Sequence, residues 1–581
     1  MERTTGEASG SFPEVPSAEA QAGWSRATSG GRSSPSMTSA TNVALTAEKV
    51  RRSKRQRTIG VIATVALLLS AGVTVVPVMY FFKQHRKKAV YCDTEDCLQH
   101  AAELSSTMDP SVDPCHSFRD FVCGRYQGAS LWNSLEHRMA LRSAEIAIAE
   151  LEKDILRMGR PARLFYSCTG AGRMRSHNLE QFLLLKRNVG LLWPEEHKPS
   201  VHPVEVMINL AINWNMNFLF DVRGLPNTTD APPALLMTTG RLGVSWRYRY
   251  QTDPMSPEQY RDYVNRTNEA LGVDTEQWDH RELQRLERSI VEAKIQIIQS
   301  DHHQEWFPLG SLDAFVPSAK EGFWIEILNK HFKGDINWTS DQFFVLQDVR
   351  ILETVSRLLT AHGPEELHVG LSWIFIQSHL WAVLGMPKLM FPENTEKMKK
   401  YGCLEYVDSY FGLLSVREHI ARRYRESDVE DFLESINRTI IAMLDSLALA
   451  SNDVGAEVAI RKIAAMKINV LPAAEFFSDQ ELEKLYRSFP RLTNTIFVAN
   501  LISLSRLHRR LLFDKNYPDV YGKRMVSNYG QSIYVYPRNY LEIPLLTLEP
   551  PMYYTRAAFA INYAGLGATT ARDMIRAFDS R

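Results

Sequence analysis

One apolar segment constrains the architecture of this chain more than any other feature. Residues Thr58–Phe82 form a run of 25 residues without a charged side chain. As a helix rising ~1.5 Å per residue the run would extend ~37 Å, enough to cross a ~30 Å hydrocarbon core with tilt. A cleaved signal peptide is disfavoured by the long preceding tail, the excess length and the lack of a small-residue cleavage site. A soluble core helix is a poor alternative, because no polar face interrupts the run. The run therefore predicts a transmembrane signal-anchor helix at 58–82.

The flanks of this run indicate its orientation. Cationic side chains lie before it at Lys49, Arg51, Arg52, Lys54, Arg55 and Arg57, and after it at Lys83, Arg86, Lys87 and Lys88. The small excess of cations before the run favours a cytosolic N-terminus only weakly. All six cysteines and all four N-x-S/T sequons follow the run, as expected for a part that enters an oxidising, glycosylating compartment. We therefore expect a single-pass type II glycoprotein of the plasma membrane, with an extracellular C-terminal part and glycans at Asn227, Asn265, Asn337 and Asn437.

Composition adds two expectations about the rest of the chain. Residues 1–57 begin with a stretch rich in Ser, Thr, Gly, Ala and Pro, which cannot bury enough apolar surface to order, so we expect a disordered cytosolic tail. Residues 83–90 read as a basic juxtamembrane stalk. Lysine plus arginine equal aspartate plus glutamate at 67 each, so net charge favours no nucleic-acid partner. The sequence contains no Gly-rich phosphate loop and no G-x-S-x-G elbow.

The end of the chain carries the most specific motif. Residues 562–579 read NYAGLGATTARDMIRAFD. This segment resembles, without a gap, the zinc-site segment N-Y-G-G-I-G-x-x-I-G-H-E-x-x-H-x-F-D of the neprilysin and endothelin-converting-enzyme family of membrane zinc metalloendopeptidases. Most residues of the motif that have no chemical role are identical here or replaced by similar ones. The zinc ligands and the general base are replaced, because Arg572 and Arg576 stand at the two histidine positions and Asp573 stands at the glutamate position.

The chemistry of that family helix explains what the replacements imply. In H-E-x-x-H two imidazoles four residues apart share a helix face and bind one Zn²⁺, while the glutamate takes a proton from the metal-bound water. Arginine is always protonated and offers no lone pair, so neither arginine can be a ligand. No two of the 16 histidines are three or four residues apart, so no other local helical pair replaces them. The third family ligand, the glutamate of E-N-x-A-D, lies beyond Arg581 in relatives. We therefore expect no metal, no cofactor and no catalytic residues at Arg572, Asp573 and Arg576.

The beginning of the extracellular part carries further family landmarks. Residues 113–124 read DPCHSFRDFVCG and resemble the family signature D-P-C-x-D-F-x-x-F-x-C-G, and residues 163–168, RLFYSC, resemble L-Y-x-S-C. The resemblance covers about residues 91–581 and implies the disulfides Cys92–Cys97 and Cys168–Cys403. The family partners of Cys115 and Cys123 lie in the C-terminal lobe and are not found here. If their segment is helical, eight residues at ~1.5 Å separate the two Cα atoms by ~12 Å, beyond the ~7 Å Cα limit for a disulfide, so both cysteines are predicted to be unpaired.

The family's substrate-binding edge also has a counterpart before the last helix. Relatives read V-N-A-x-Y there, with the asparagine holding the peptide backbone, and residues 526–530 here read VSNYG. Ser527 therefore stands at the asparagine position and Asn528 next to it. Neighbouring strand residues face opposite ways, so Asn528 does not simply take over the contact.

The intervening chain predicts a mainly helical scaffold. Apolar residues recur at intervals of three and four residues in Ala144–Leu156, Glu282–Gln299, Val349–Thr360 and Val429–Ser446. Residues 532–536 and 540–544 flank Pro537-Arg538-Asn539 and predict a short strand pair. With the resemblance, this gives a mainly α fold: a two-lobed neprilysin-like ectodomain with a helical domain at 91–525 and, at 526–581, only the start of the thermolysin-like lobe, preceded by one transmembrane helix.

Three functions are compatible with these features. The first is a non-catalytic pseudo-peptidase that binds extracellular peptides or proteins. The second is a metalloendopeptidase that processes short extracellular peptides, if the chain is an incomplete version of an active family member. The third is a structural partner that forms a disulfide-linked dimer through Cys115 or Cys123. The missing zinc ligands favour the first.

Overall fold

The architecture comes from a computed structural model of the protein. It describes residues 91–126, 135–154, 159–195, 201–225, 234–240, 254–273, 279–298, 305–317, 319–333, 336–385, 395–423, 426–450, 454–469, 478–514, 516–521, 532–535, 539–543 and 545–578. The predicted tail, membrane span and stalk lie outside these residues, as do Asn227, Ser527 and Asn528. None of the helices within the described ranges combines the length and apolarity that a membrane crossing requires.

Helices make up most of the described chain, as predicted. In the first half they are α1 (Glu95–Thr107), α2 (Phe118–Cys123), α3 (Leu135–Asp154), α4 (Arg160–Thr169), α5 (Arg175–Asn188), α6 (Pro203–Trp214), α7 (Pro257–Leu271), α8 (His280–Ile298) and α9 (Phe323–His331). In the second half they are α10 (Arg350–Val383), α11 (Thr395–Arg423), α12 (Glu426–Ala450), α13 (Val454–Ala464), α14 (Asp479–Tyr486), α15 (Phe497–Leu511), α16 (Phe559–Asn562) and α17 (Ala568–Ile575).

The four helical ranges expected from periodicity overlap α3, α8, α10 and α12 over nearly their whole described length. Helix α10 continues well past the predicted end at Thr360, with a break at Gly363 and Pro364. Gly363 has φ 71° and ψ 169°, a conformation that side-chain-bearing residues rarely adopt, and proline cannot donate a helical hydrogen bond. The Gly-Pro pair therefore divides α10 into two helical segments.

A four-stranded sheet lies among the helices and was not predicted from the sequence. Its order is β1 (Phe220–Leu225), β2 (Ala234–Thr239), β4 (Phe343–Leu346), β3 (Glu305–Pro308). Strands β1 and β2 are antiparallel, as are β3 and β4, whereas β2 and β4 pair in parallel with Leu236 opposite Val345. Strands of four to six residues whose partners lie far away in the chain leave little periodic signal.

A second sheet contains the predicted strand pair. Strands β6 (Ile533–Val535) and β7 (Tyr540–Glu542) are antiparallel, with Tyr534 opposite Leu541, which confirms the hairpin. Asn539 lies in its turn with φ 45°, a left-handed conformation that asparagine tolerates better than most residues. A third strand, β5 (Lys467–Asn469), pairs in parallel with β7 and was not predicted.

The buried apolar side chains form two clusters. The larger one joins helices α3 to α11, α14 and α15 with the four-stranded sheet. The smaller one includes Phe432 and Ile436 of α12, Ile463 of α13, Leu541 of β7 and Met574 of α17. The segment after residue 532 therefore shares one apolar core with α12 and α13. The domain boundary at residue 526 stays a prediction.

Both disulfides implied by the family resemblance are formed. Cys92 bonds to Cys97, and Cys168 of α4 bonds to Cys403 of α11, where both sulfur-bearing residues are fully buried. Cys115 and Cys123 are free and exposed. The described sequon asparagines, Asn265, Asn337 and Asn437, are all exposed, so each can carry a glycan without unfolding the chain.

A buried lysine in the larger cluster makes the free energy of unfolding depend on pH. Lys294 of α8 is 1% exposed, and its Nζ donates to the Leu219 carbonyl oxygen at 2.9 Å. Burial lowers the pKa of this ammonium to about 7, and the Asp221 carboxylate offsets part of the shift. The ordinary lysine pKa, about 10.4, applies in the unfolded chain. Between these two values the unfolded state binds more protons, so this residue makes the free energy of unfolding rise with pH.

We expect Lys294→Met to remove this pH dependence. The unmodified protein should gain on the order of 2–4 kcal/mol of unfolding free energy relative to the variant from pH 6.5 to 9.5, because only the charged form of Lys294 is costly to bury. The Leu219 carbonyl loses its donor at every pH, so that cost cancels in the comparison. Chemical denaturation across this pH range measures the effect, with the exposed Lys484→Met as the control. Parallel pH curves for Lys294→Met and the unmodified protein would contradict the assignment.

Candidate functional site

The C-terminal motif forms the helix that its sequence predicts. A π-helical turn at Tyr563–Gly567 leads into α17, and a 3-10 turn at Arg576–Phe578 follows it. The Leu566 amide donates to the Met552 carbonyl oxygen at 3.1 Å, so the two backbones lie close together. A Cβ on Gly565 would be 2.5 Å from that same oxygen. Only glycine fits at position 565, which explains why this letter of the motif is kept.

Polar contacts attach this segment to its surroundings. The buried amide of Asn562 accepts from the Tyr554 amide at 2.9 Å and donates to the Tyr554 carbonyl at 2.8 Å. Beyond α17, Lys462 of α13 donates through Nζ to the Ala577 carbonyl oxygen at 2.6 Å. Met574 and Ala577 lie in the smaller apolar cluster. Both ends of α17 are therefore held by groups outside it.

The three residues at the zinc-site positions form an ion cluster. Asp573 is 1% exposed, and its Oδ1 accepts from Nε of Arg572 at 3.3 Å and lies 3.4 Å from Nε of Arg576. Its Oδ2 accepts from the Ser532 hydroxyl at the start of β6. The two arginine side chains are 49% and 48% exposed. A buried carboxylate therefore lies between two half-exposed guanidinium groups, which compensate its negative charge and leave one positive charge in excess.

This donor set does not fit a zinc ion. Guanidinium groups have no lone pair to give, and Asp573, the single carboxylate of the cluster, already accepts from Arg572 and Ser532 and forms an ion pair with Arg576. Across the ranges that the structure describes, no group of three or more His, Cys, Asp or Glu side chains is arranged to hold a metal. The absence of zinc from the protein itself stays a prediction.

The other predicted site residues lie elsewhere. Cys115 precedes α2 and Cys123 ends it, and Ser527 and Asn528 fall outside the described residues. Sequence reasoning missed Ser532, for which no local signal exists, and it missed the contact between the first helix and the segment before α17. There the Thr94 hydroxyl donates to the Arg556 carbonyl at 2.8 Å.

That contact continues along α1. The Arg556 amide donates to Asp96 at 2.7 Å, and the Tyr554 hydroxyl donates to Glu103 at 3.2 Å. A second missed pair joins α11 to residues 545–552, where His419 Nε2 lies 2.7 Å from the buried Glu549 carboxylate. These interactions connect residues more than 100 positions apart, so only the folded chain shows them.

Comparison with known proteins agrees with the motifs. The model of peptidase family M13 matches residues 114–471. Mouse neprilysin is 20% identical over 549 residues, which cover 84% of this chain and 71% of that protein. Human endothelin-converting enzyme 1 is 20% identical over 569 residues, covering 90% and 71%.

Solved structures show the same fold at low identity. The Haemonchus galactose containing glycoprotein complex superposes with a TM-score of 0.56 at 15% identity, covering 84% of this chain and 76% of that one. Zinc metalloprotease ZMP1 of Mycobacterium tuberculosis, in complex with an inhibitor, gives 0.52 at 12% identity, covering 82% and 74%. The neprilysin-like resemblance is confirmed, and because the family model matches more than half of the chain, the protein belongs to peptidase family M13.

Proposed function

We propose that this protein is a non-catalytic member of peptidase family M13, a pseudo-peptidase that binds extracellular peptides or proteins without cleaving them. One observation carries the proposal: Arg572, Asp573 and Arg576 form an ion cluster where relatives have H-E-x-x-H. Metal-assisted hydrolysis needs a Lewis acid and an activated water. A pair of guanidinium groups repels a divalent cation and has no lone pair to coordinate it, so these residues supply neither the metal nor a metal-bound water.

The position of Asp573 supports the same conclusion. A general base must reach the proton that it removes, at hydrogen-bond distance. The Asp573 carboxylate is 1% exposed, accepts from Arg572 and Ser532 and forms an ion pair with Arg576, so its oxygens are directed into the protein. Meanwhile α17 keeps its helical form and its packing on the smaller apolar cluster, so the scaffold remains while its chemistry has changed.

The main rival is an active metalloendopeptidase that processes short extracellular peptides. The family relationship supports it, since neprilysin and endothelin-converting enzyme 1 are relatives. It requires this chain to be an incomplete version of an active protein, with zinc bound by residues other than Arg572 and Arg576. Zinc content and turnover separate the two proposals.

The binding function can be tested with a defined peptide mixture. The full chain in detergent or nanodiscs is incubated with a mixture of short synthetic peptides. The protein is then captured and washed, and the retained peptides are identified by mass spectrometry. We expect a subset of peptides to be retained intact, with no fragments above a protein-free blank. Mouse neprilysin under the same conditions is the control for cleavage. Retention of no peptide would overturn the binding function, and chelator-sensitive fragments would favour the rival.

We place the protein in the plasma membrane as a single-pass type II glycoprotein. The apolar run at 58–82 supports this, as do the two disulfides and the exposed sequon residues Asn265, Asn337 and Asn437. We further propose that Cys115 or Cys123 forms an interchain disulfide, because two exposed free thiols are readily oxidised in a compartment where the other cysteines are paired.

One electrophoresis experiment tests both proposals. Surface-biotinylated protein is separated with and without reductant, before and after glycosidase treatment. We expect a mass decrease on deglycosylation and a dimer that dissociates on reduction and is lost in Cys115→Ser/Cys123→Ser. Protein without any glycan would contradict the topology. A surface monomer with both thiols free would contradict the covalent dimer.

A further inference from the structure

We propose that Arg572 and Arg576 together bind a carboxylate of an anionic peptide ligand. The proposal rests on the proposed function and narrows it, because it names both the ligand chemistry and the residues that recognise it. The starting point is the position of the two side chains. They are one helical turn apart at the end of α17, and both Nε atoms lie within 3.4 Å of the same oxygen of Asp573. The two guanidinium groups are therefore held side by side.

Among the described residues, the charge of this cluster is not balanced. Two guanidinium groups share one carboxylate, and in the described part of the chain no second carboxylate lies within ion-pair distance of either arginine. Lys462, whose Nζ contacts the Ala577 carbonyl next to Arg576, adds a further cation nearby. A positive surplus at a partly exposed surface attracts anions, and it is screened only partly at physiological salt.

Hydrogen-bond donors also remain available. Each guanidinium has five N–H groups in a planar fork that matches a carboxylate. Asp573 accepts from Nε of Arg572 and, at 3.4 Å, from Nη2 of Arg572, and it forms an ion pair with Nε of Arg576. Within the described residues the Nη groups of Arg576 have no hydrogen-bond partner. These groups suit a second carboxylate that approaches from outside.

Burial decides from which side such a ligand approaches. Asp573 is 1% exposed and secures the arginines from within, whereas the two arginine side chains are about half exposed. Ile575 is 58% exposed and lies three residues after Arg572, so the two side chains are neighbours on the helix surface. An apolar group next to the carboxylate of the ligand could therefore contact Ile575 beside Arg572. A peptide can supply the carboxylate from its C-terminus or from an Asp or Glu side chain.

The test uses four fluorescent hexapeptides with a common apolar sequence and blocked N-termini. One has an amidated C-terminus, one has a free C-terminal carboxylate, one is amidated with an internal Glu, and one is amidated with an internal Lys. Binding to the full chain is measured by fluorescence anisotropy. We expect one of the carboxylate peptides to bind about tenfold more tightly than the neutral one, in line with charge-assisted hydrogen bonds. The two carboxylate peptides distinguish a C-terminal from a side-chain source.

Variants separate ligand binding from a structural role of the cluster. Arg572→Gln/Arg576→Gln should reduce carboxylate binding to the level of the neutral peptide. Arg438→Gln, on the neighbouring α12 and paired with Glu434, should leave it unchanged. Asp573→Asn removes the internal competitor, so it should bind the carboxylate more tightly while lowering the melting temperature. A purely structural cluster would lower stability without raising affinity.

The possible failures are distinguishable. If neutral and carboxylate peptides bind equally, or if the double arginine variant keeps the preference, the guanidinium pair is not the carboxylate site and the proposed function survives. If none of the four hexapeptides binds although other peptides are retained intact in the mixture experiment, the carboxylate proposal alone fails. If neither experiment shows any peptide binding, both fail.

Discussion

The purified protein is expected to contain no stoichiometric zinc and to cleave no neprilysin-type peptide above background. Enzymes accelerate such reactions by about 10⁶-fold or more, so losing the metal site should remove all measurable turnover. The physical reason lies in α17, where two arginines that cannot ligate surround a buried aspartate. Elemental analysis of the purified protein, with and without added zinc, and peptide turnover with and without chelator measure the two quantities.

A triple variant supplies the matched control for this prediction. Arg572→His/Asp573→Glu/Arg576→His restores the two imidazoles one helical turn apart, so it should retain more zinc than the unmodified protein. Its turnover should stay at background, because a catalytic zinc needs three protein ligands. Chelator-sensitive cleavage by the unmodified protein would refute the pseudo-peptidase proposal and favour the metalloendopeptidase.

Removal of the Cys168–Cys403 disulfide is expected to cause the largest loss of stability. The bond connects α4 to α11 across a sequence separation of 235 residues. The chain-entropy model gives on the order of 5 kcal/mol for a loop of this length, because the crosslink restricts the unfolded chain. Both cysteines are fully buried in the larger cluster, so Cys168→Ala/Cys403→Ala also removes packing contacts. Denaturant unfolding of the variant measures the loss.

The second disulfide is the control for loop length. Cys92 and Cys97 are five residues apart, so Cys92→Ala/Cys97→Ala should cost about 2 kcal/mol in the same model. Equal losses in the two double variants would show that the loop-length argument does not describe this protein.

Local patterns in the sequence were sufficient for several elements. Periodic apolar spacing predicted helices α3, α8, α10 and α12, and two β-rich stretches around Pro537-Arg538-Asn539 predicted the hairpin of β6 and β7. These elements depend on interactions between residues that are close in sequence, which is why a single sequence shows them. The predicted membrane helix at 58–82 is a local pattern of the same kind and stays a prediction.

Long-range pairing was beyond the same reasoning. The parallel pairing of β2 with β4 joins Leu236 to Val345, and β5 joins β7 across about seventy residues. Short strands without alternation carry no information about a distant partner, and the energy that selects one pairing comes from the packing of the whole core. The low pKa of Lys294 was equally beyond sequence reasoning, because it follows from burial of the side chain in the folded protein.

The zinc-site segment shows both kinds of information in one helix. The sequence by itself determined that Arg572, Asp573 and Arg576 replace the metal ligands and the general base, because ligand chemistry depends on residue type alone. Only the tertiary structure decided what these residues do instead. The Asp573 carboxylate is buried and accepts from Ser532, which immediately precedes β6, while the two half-exposed guanidinium groups pair with it. A carboxylate removed from water needs such partners, and their positions depend on how distant segments pack.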